Sequence, residues 1–170
     1  MTEYDDKLVI PSGTYPAGLR FIAVYGSLPG KFSDARPRSA WQWIVRLPDG
    51  RLGSMTHLVT LDKSPGSHVR RLAAALVGDA TLLAGGTCPA TAILLARSCL
   101  ILAGRQQCGG GRDRPVVPNA LLLPGNTEPV SVDGTCLWYP GCGINLPTKL
   151  PSWVANFAVV AETAAKKGKG

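Results

Sequence analysis

Residues 29–43 read PGKFSDARPRSAWQW. Lys31, Arg36 and Arg38 stand beside Phe32, Trp41 and Trp43, with Asp34 as the one acid among them. Guanidinium groups fork onto phosphates and stack on bases, and indoles stack on any base, so this composition suits an anionic, aromatic polymer. Trp41 and Trp43 are two apart, so on a strand they share a face. If that face is open they form a stacking platform; if it turns inward they are core, with Val45 and Leu47 continuing the stripe. More cations follow at Arg46 and Arg51, and Arg105, Arg112 and Arg114 surround the run CGGGRDR at 108–114. Gly109, Gly110 and Gly111 would let the backbone approach a phosphodiester closely, or simply let a hairpin flex. Arg46 shares a face with Gln42 and Ile44, opposite Trp43, and leaves the set. The candidate nucleic-acid-binding residues are therefore Lys31, Phe32, Arg36, Arg38, Trp41, Trp43, Arg51, Arg105, Arg112 and Arg114.

Other chemistry is thin. Cys136 and Cys142 are separated by more than the two to four residues usual between zinc ligands, and Cys108 has no nearby partner pair. A Cys136–Cys142 disulfide is geometrically possible but disfavoured in a reducing compartment. Cys99 and Arg105 match the spacing of a phosphatase loop, yet the LILAG between them reads as strand. Phosphate-binding glycine loops of the Walker type, HExxH and GxSxG are absent, and the one adjacent acid pair, Asp5 and Asp6, lies near the start. These observations imply no enzyme, no cofactor and no metal.

Bulk properties agree with a polyanion partner. The chain has 170 residues, 45% of them apolar, which suits one domain with a substantial core. The net charge is +7, which favours nucleic acid or an anionic membrane surface. The longest apolar run, near 90–104, is too short for a membrane span and contains Arg97. The beginning, MTEYDDKLVI, has no apolar signal core, and the five cysteines cannot all pair within the chain, so a cytoplasmic location without membrane attachment is expected.

The elements that must position these residues follow from punctuation by 20 glycines and 14 prolines. Strands are expected near 13–27, 39–47, 51–61, 98–107 and 115–123, the first with Tyr15, Leu19, Phe21, Ala23 and Tyr25 on one face. PDG at 48–50 is a hairpin turn. A helix fits 62–78, with a serine cap at Ser64 or Ser67, a stripe of Val69, Leu72, Ala73 and Leu76, and Gly78 as its stop. Residues 79–95 read either as a short helix or as buried extended chain. LPSWVANFAVVAETA at 150–164 reads as a closing helix with Trp153, Phe157 and Val160 on one face. Residues 1–7 are expected to fray.

Three strands, a helix and two strands is the order of an OB-fold. The fold class is thus mainly β: a five-stranded OB-like barrel with a helix between strands three and four, plus a C-terminal extension ending in a helix. An SH3-like barrel or another small α+β sheet fits the same pattern. Residues 1–125 form the barrel domain, 126–163 an extension packing on the barrel or on a partner, and 164–170 a disordered basic tail.

The ordered set PSGTYPAGL (11–19), GKFSDARPRSAWQWIVRLPDGR (30–51), SPGSHVRRLAAALVG (64–78), ARSCLIL (96–102), PNALLLP (118–124) and LPSWVANFAVVAET (150–163) resembles a family of small OB-fold-like proteins of phages and mobile elements thought to bind single-stranded DNA. The chain departs from it in its arginine-rich surface and in CLWYPGCG at 136–143. The resemblance implies fold and function and carries over no binding residues.

Together these readings predict a sequence-tolerant single-stranded DNA-binding protein of a phage or mobile element, acting in replication or recombination. Its groove would lie between the 28–38 and 108–114 loops. RNA is a less favoured ligand. Self-association, or a replication or recombination partner, would use the C-terminal extension. The alternative is a structural or adaptor subunit of a protein or ribonucleoprotein assembly.

Overall fold

β1 (Gly13–Gly26) is the organising strand of the molecule. The structure, a computed structural model, describes residues 3–26, 37–62, 64–85, 89–108 and 112–167. β1 is followed by β2 (Arg38–Arg46), β3 (Leu52–Thr60), α1 (His68–Val77), a 3₁₀ turn (Ala80–Ala84), α2 (Thr91–Leu94), β4 (Ser98–Cys108), β5 (Arg112–Leu121), β6 (Cys136–Trp138) and α3 (Ser152–Lys167). The hydrogen-bonded path is β3-β2-β1-β4-β5, antiparallel at each step, with β6 added parallel to β1. Among the described residues no ladder joins β3 to β5, although the two strands lie in contact. The sheet is therefore open along its ladders, with its two ends drawn together. Among the described residues no helix is long and apolar enough to cross a membrane.

β1 serves three neighbours in turn. Gly13–Gly18 pairs with β4, Ala17–Gly26 with β2, and Phe21–Ala23 with β6. Beyond Gly18, where β4 stops, β6 covers the edge that would otherwise be bare, which removes a run of unpaired backbone groups. The sequence pattern did not reveal β6, because three residues between prolines and glycines carry too short an alternation.

A bulge at Arg20 corrects the expected single face of β1. Leu19 pairs with Trp43 while Phe21 pairs with the next residue, Gln42, so Arg20 is the extra residue. An inserted residue inverts the alternation beyond it. Tyr15, Ala17, Leu19 and Ile22 consequently enter one core, and Phe21, Ala23 and Tyr25 enter another on the opposite side.

The first core contains Trp41, Trp43, Val45, Met55 and Val59 from β2 and β3, Ile101 from β4 and Val117 from β5, closed by Leu72 and Leu76 of α1. α1 ends where Gly78, at φ 77°, lets its N–H reach the Ala74 carbonyl. Ser67 is its N-cap by position, but its hydroxyl makes no cap hydrogen bond.

The second core lies between the outer face of β1–β2 and the C-terminal extension. Trp138, Val154, Ala158 and Ala161 pack there on Phe21, Ala23, Tyr25 and Ala40. The buried stripe of α3 is Val154, Ala158 and Ala161, one position away from the expected Trp153, Phe157 and Val160. Two alanines allow the helix to sit close to the sheet, so Trp153 and Phe157 fall to its margin, half-buried, and Val160 is exposed. α3 runs through Lys167, so residues 164–167 are helical rather than a loose tail, and 168–170 lie outside the described residues.

Candidate nucleic-acid interface

Of the ten predicted binding residues, the six whose side chains are described, Arg38, Trp41, Trp43, Arg51, Arg105 and Arg114, do not share one surface. Lys31, Phe32 and Arg36 lie outside the described residues, as does the side chain of Arg112. Trp41 and Trp43 are fully buried, which corrects their reading as a stacking platform. Their rings are 6.1 Å apart in the first core. Each indole N–H is satisfied internally: Trp41 Nε1 donates to Ser39 Oγ, and Trp43 Nε1 donates to His57 Nε2, both at 2.9 Å. The apolar continuation through Val45 and Leu47 decides their side, because burying four apolar side chains outweighs exposing two.

The arginines are dispersed. Arg38 opens β2 opposite Thr60, and its Nη1 donates to Thr60 Oγ1 at 2.6 Å. Arg51 stands at the other end of the β2–β3 hairpin, about 30 Å away for nine residue steps of extended chain from Thr60. It is exposed and pairs with Asp49, Nε to Oδ2 at 2.7 Å. The Arg51 backbone N–H and guanidinium hold the Asp49 carboxyl below the usual carboxylate range. Arg114 donates to Gln106 Oε1 at 2.8 Å across the β4–β5 hairpin. Arg105 is exposed and makes no side-chain hydrogen bond or ion pair among the described residues.

The face of β2 opposite Trp41 and Trp43 is already occupied. Ala40, Gln42 and Ile44 are buried beneath the extension. Gln42 Nε2 donates to the Lys149 carbonyl at 2.9 Å, and its Oε1 accepts from Arg20 Nη1 at 2.6 Å. Arg46 clamps the extension through the Glu128 carbonyl at 2.7 Å. The Arg20–Gln42 bond is buried, the Gln42–Lys149 bond is part-buried and the Arg46 clamp lies at the exposed margin, so the centre of this face is interior.

What remains open is a cleft of roughly 360 Å³ beside that covered face. Its walls come from the N-terminal segment 6–10, the middle of β3, the stem of the β4–β5 hairpin, and residues 149–153 leading into α3. Lys7, Arg105 and Lys149 face it with Asp6 as the one carboxylate, alongside Met55 and Trp153. Ser54 and Thr56 add hydroxyls.

Each wall is held by identifiable contacts. The N-terminal segment is tied to β3 by a parallel bridge of Asp5 to Gly53 and by the Asp5 N–H on the Leu52 carbonyl at 2.9 Å. Of residues 1–7, expected to fray, the described part, 3–7, is instead tied to β3 through Asp5, and 1–2 lie outside the described residues. Gly53 makes this approach possible, since a Cβ there would stand 2.7 Å from Ile10 Cδ1. Lys149 adopts φ 63°, its Nζ donates to the Tyr4 carbonyl at 3.1 Å, and it lies 4.8 Å from the centre of the Tyr4 ring. Arg20 lies 5.4 Å from the centre of the same ring. Burial raises the Tyr4 phenol above its ordinary value, with Arg20 opposing. Trp153 meets Phe157 edge to face at 5.7 Å.

Lys7, Lys149 and Trp153 were not among the predicted site residues. The run TKLPSW at 148–153 places a cation four residues before a tryptophan and was the available signal. Lys7 had none, because only the pairing of segment 5–10 with β3 brings it to the cleft. Among the described residues, no group of three His, Cys, Asp or Glu side chains is arranged to hold a metal ion. Cys99 is buried in the first core, and burial pushes its thiol up to about 12. No family model matches the chain, and no curated protein sequence matches it.

Proposed function

We propose that the protein binds single-stranded nucleic acid, DNA in preference to RNA, without demanding a sequence, on an OB-type barrel with α1 between its third and fourth strands. The path β3-β2-β1-β4-β5 and the approach of β3 to β5 support that architecture. The observation that carries the function is the net-positive cleft beside the β4–β5 stem, where Lys7, Arg105 and Lys149 face a single carboxylate. Lysine and arginine at such a cleft neutralise phosphates and release counterions, a sequence-independent attraction. The sequence resemblance supports a setting in phage or mobile-element replication or recombination, and a non-enzymatic role.

The test is fluorescence-anisotropy titration of a labelled dT oligonucleotide of about 30 nucleotides, longer than one OB unit covers. It is run at low and high salt with duplex and RNA competitors. Binding that prefers single-stranded DNA and weakens with salt is expected. Absence of binding at low salt would reject the reading.

An adaptor subunit is the second reading. Leu121 and Leu122 are 50% and 63% exposed and line an apolar groove with Leu83 and Ala75 of roughly 380 Å³. Exposed apolar patches of this kind mark protein contacts. Retention of a protein assembly after loss of Arg105 and Arg114 would favour it.

A further inference from the structure

The covered face of β2 removes the surface on which an OB-type barrel would stack bases, so the aromatic platform must come from elsewhere. We propose that Trp153, on the C-terminal helix, is the base-stacking residue of this protein, and that the cleft it shares with Arg105, Lys7 and Lys149 seats one nucleotide unit of a single strand. The inference rests on the single-strand-binding reading and assigns its contact residues.

Four features point to this ligand. The first is availability: Trp41 and Trp43 are fully enclosed and Trp138 is 4% exposed, whereas Trp153 is half-buried and borders the cleft. The second is support. Phe157 holds the indole edge to face at 5.7 Å, and the helix beneath is fixed to the sheet through Val154 and Ala158, so the ring is presented on a rigid element. The third is complementarity. Met55, Leu150 and Pro151 give an apolar lining suited to a base, while Arg105, without an intramolecular partner among the described residues, lines the same cleft and is available to a phosphate. The fourth is size, since roughly 360 Å³ lies within the range of sites for small molecules and suits one nucleotide rather than a duplex.

Stacking on an indole does not discriminate among bases, which agrees with sequence tolerance. The C-terminal extension is then a wall of the binding site as well as a cover for the sheet. Asp6, the one carboxylate of the lining, opposes phosphate, whereas Arg105 attracts it.

The test combines affinity with the emission of the protein's own tryptophans. A dT oligonucleotide of about 15 nucleotides is titrated into wild type, Trp153→Phe, Trp153→Leu and Arg105→Ala, with anisotropy of a labelled copy read in parallel. Circular dichroism establishes that each variant is folded. In wild type, saturation should quench the exposed emission and protect it from acrylamide. Trp153→Leu should bind about 5- to 150-fold more weakly, and Trp153→Phe should recover much of that loss. Arg105→Ala should lower the slope of log affinity against log salt by about one. Binding by anisotropy with no quenching, and equal affinity in Trp153→Leu, would overturn the assignment and leave the single-strand reading standing. No binding of dT to wild type at low salt would overturn both.

Discussion

Trp43 donates its indole N–H to Nε2 of His57 at 2.9 Å, within the core between β2 and β3. The indole nitrogen can only donate, so His57 Nε2 carries no proton and the neutral ring holds its proton on Nδ1. Burial pushes the His57 pKa down to about 3, with His68, 6.0 Å away between ring centres, adding to the effect. Protonation would destroy the Trp43 bond and place a charge in an apolar core.

The sign of the resulting pH dependence is fixed. A histidine whose folded pKa is depressed contributes stability that is complete above its unfolded pKa near 6.5 and is lost as pH falls toward about 3. His68, also lowered by burial, acts in the same direction. Urea midpoints should therefore fall steadily from pH 7 to pH 4. His57→Gln, which retains an acceptor but does not titrate, should flatten the slope. An equally steep slope in His57→Gln would show that His57 is not the group responsible.

Gly18 should tolerate no side chain. A Cβ there would collide with Val132 Cγ2 and stand 2.8 Å from the Val130 carbonyl. Val130 is itself fixed by Ser98, whose hydroxyl accepts from its N–H at 2.9 Å. Gly18→Ala must therefore push the 130–132 segment off the sheet, at a cost of about 1–3 kcal/mol. Chemical denaturation measures it, and a variant as stable as wild type would mean that the segment moves freely.

Gln42 joins the sheet to the extension, so its loss should be felt on both sides. Gln42→Leu removes the acceptor of Arg20, a residue only 8% exposed, and the donor to the Lys149 carbonyl. A buried charge deprived of a partner costs about 2 kcal/mol or more. The double variant Gln42→Leu with Arg20→Met should recover part of that loss. Denaturation of the four proteins in this cycle gives the coupling, and simple additivity would refute it.

Arg51 and Arg105 should behave differently toward nucleic acid despite equal charge. Arg51 is paired with Asp49 at the β2–β3 turn, whereas Arg105 faces the cleft. Salt titrations of dT binding should show the slope reduced by about one in Arg105→Ala and nearly unchanged in Arg51→Ala. Equal loss in both would indicate diffuse attraction by net charge rather than a located site.

Much of the β framework is legible in the sequence. Alternation and the turn at 48–50 place β2 and β3 within a residue or two of their observed ends. Gly78 stops α1 as expected, and residues 91–94 take the helical alternative. Local signals suffice there because strand alternation and helix stops depend on neighbouring residues alone.

Three outcomes were decided only by tertiary structure. The bulge at Arg20 depends on which β2 residue each β1 residue meets, so the exchange of Phe21, Ala23 and Tyr25 to the second core has no local signature. The stripe of α3 shifted to Val154, Ala158 and Ala161 because closeness to the sheet, not side-chain size, selects the buried face. The cleft joins Lys7, Arg105, Lys149 and Trp153, residues separated by most of the chain. Sequence by itself determined composition, charge and the approximate positions of the five longer strands, all properties of short segments, and left the side taken by Trp41 and Trp43 to the fold. The fold alone decided which cations share a surface, because segment 5–10 reaches the cleft by pairing with β3 and residues 149–153 reach it by covering β2.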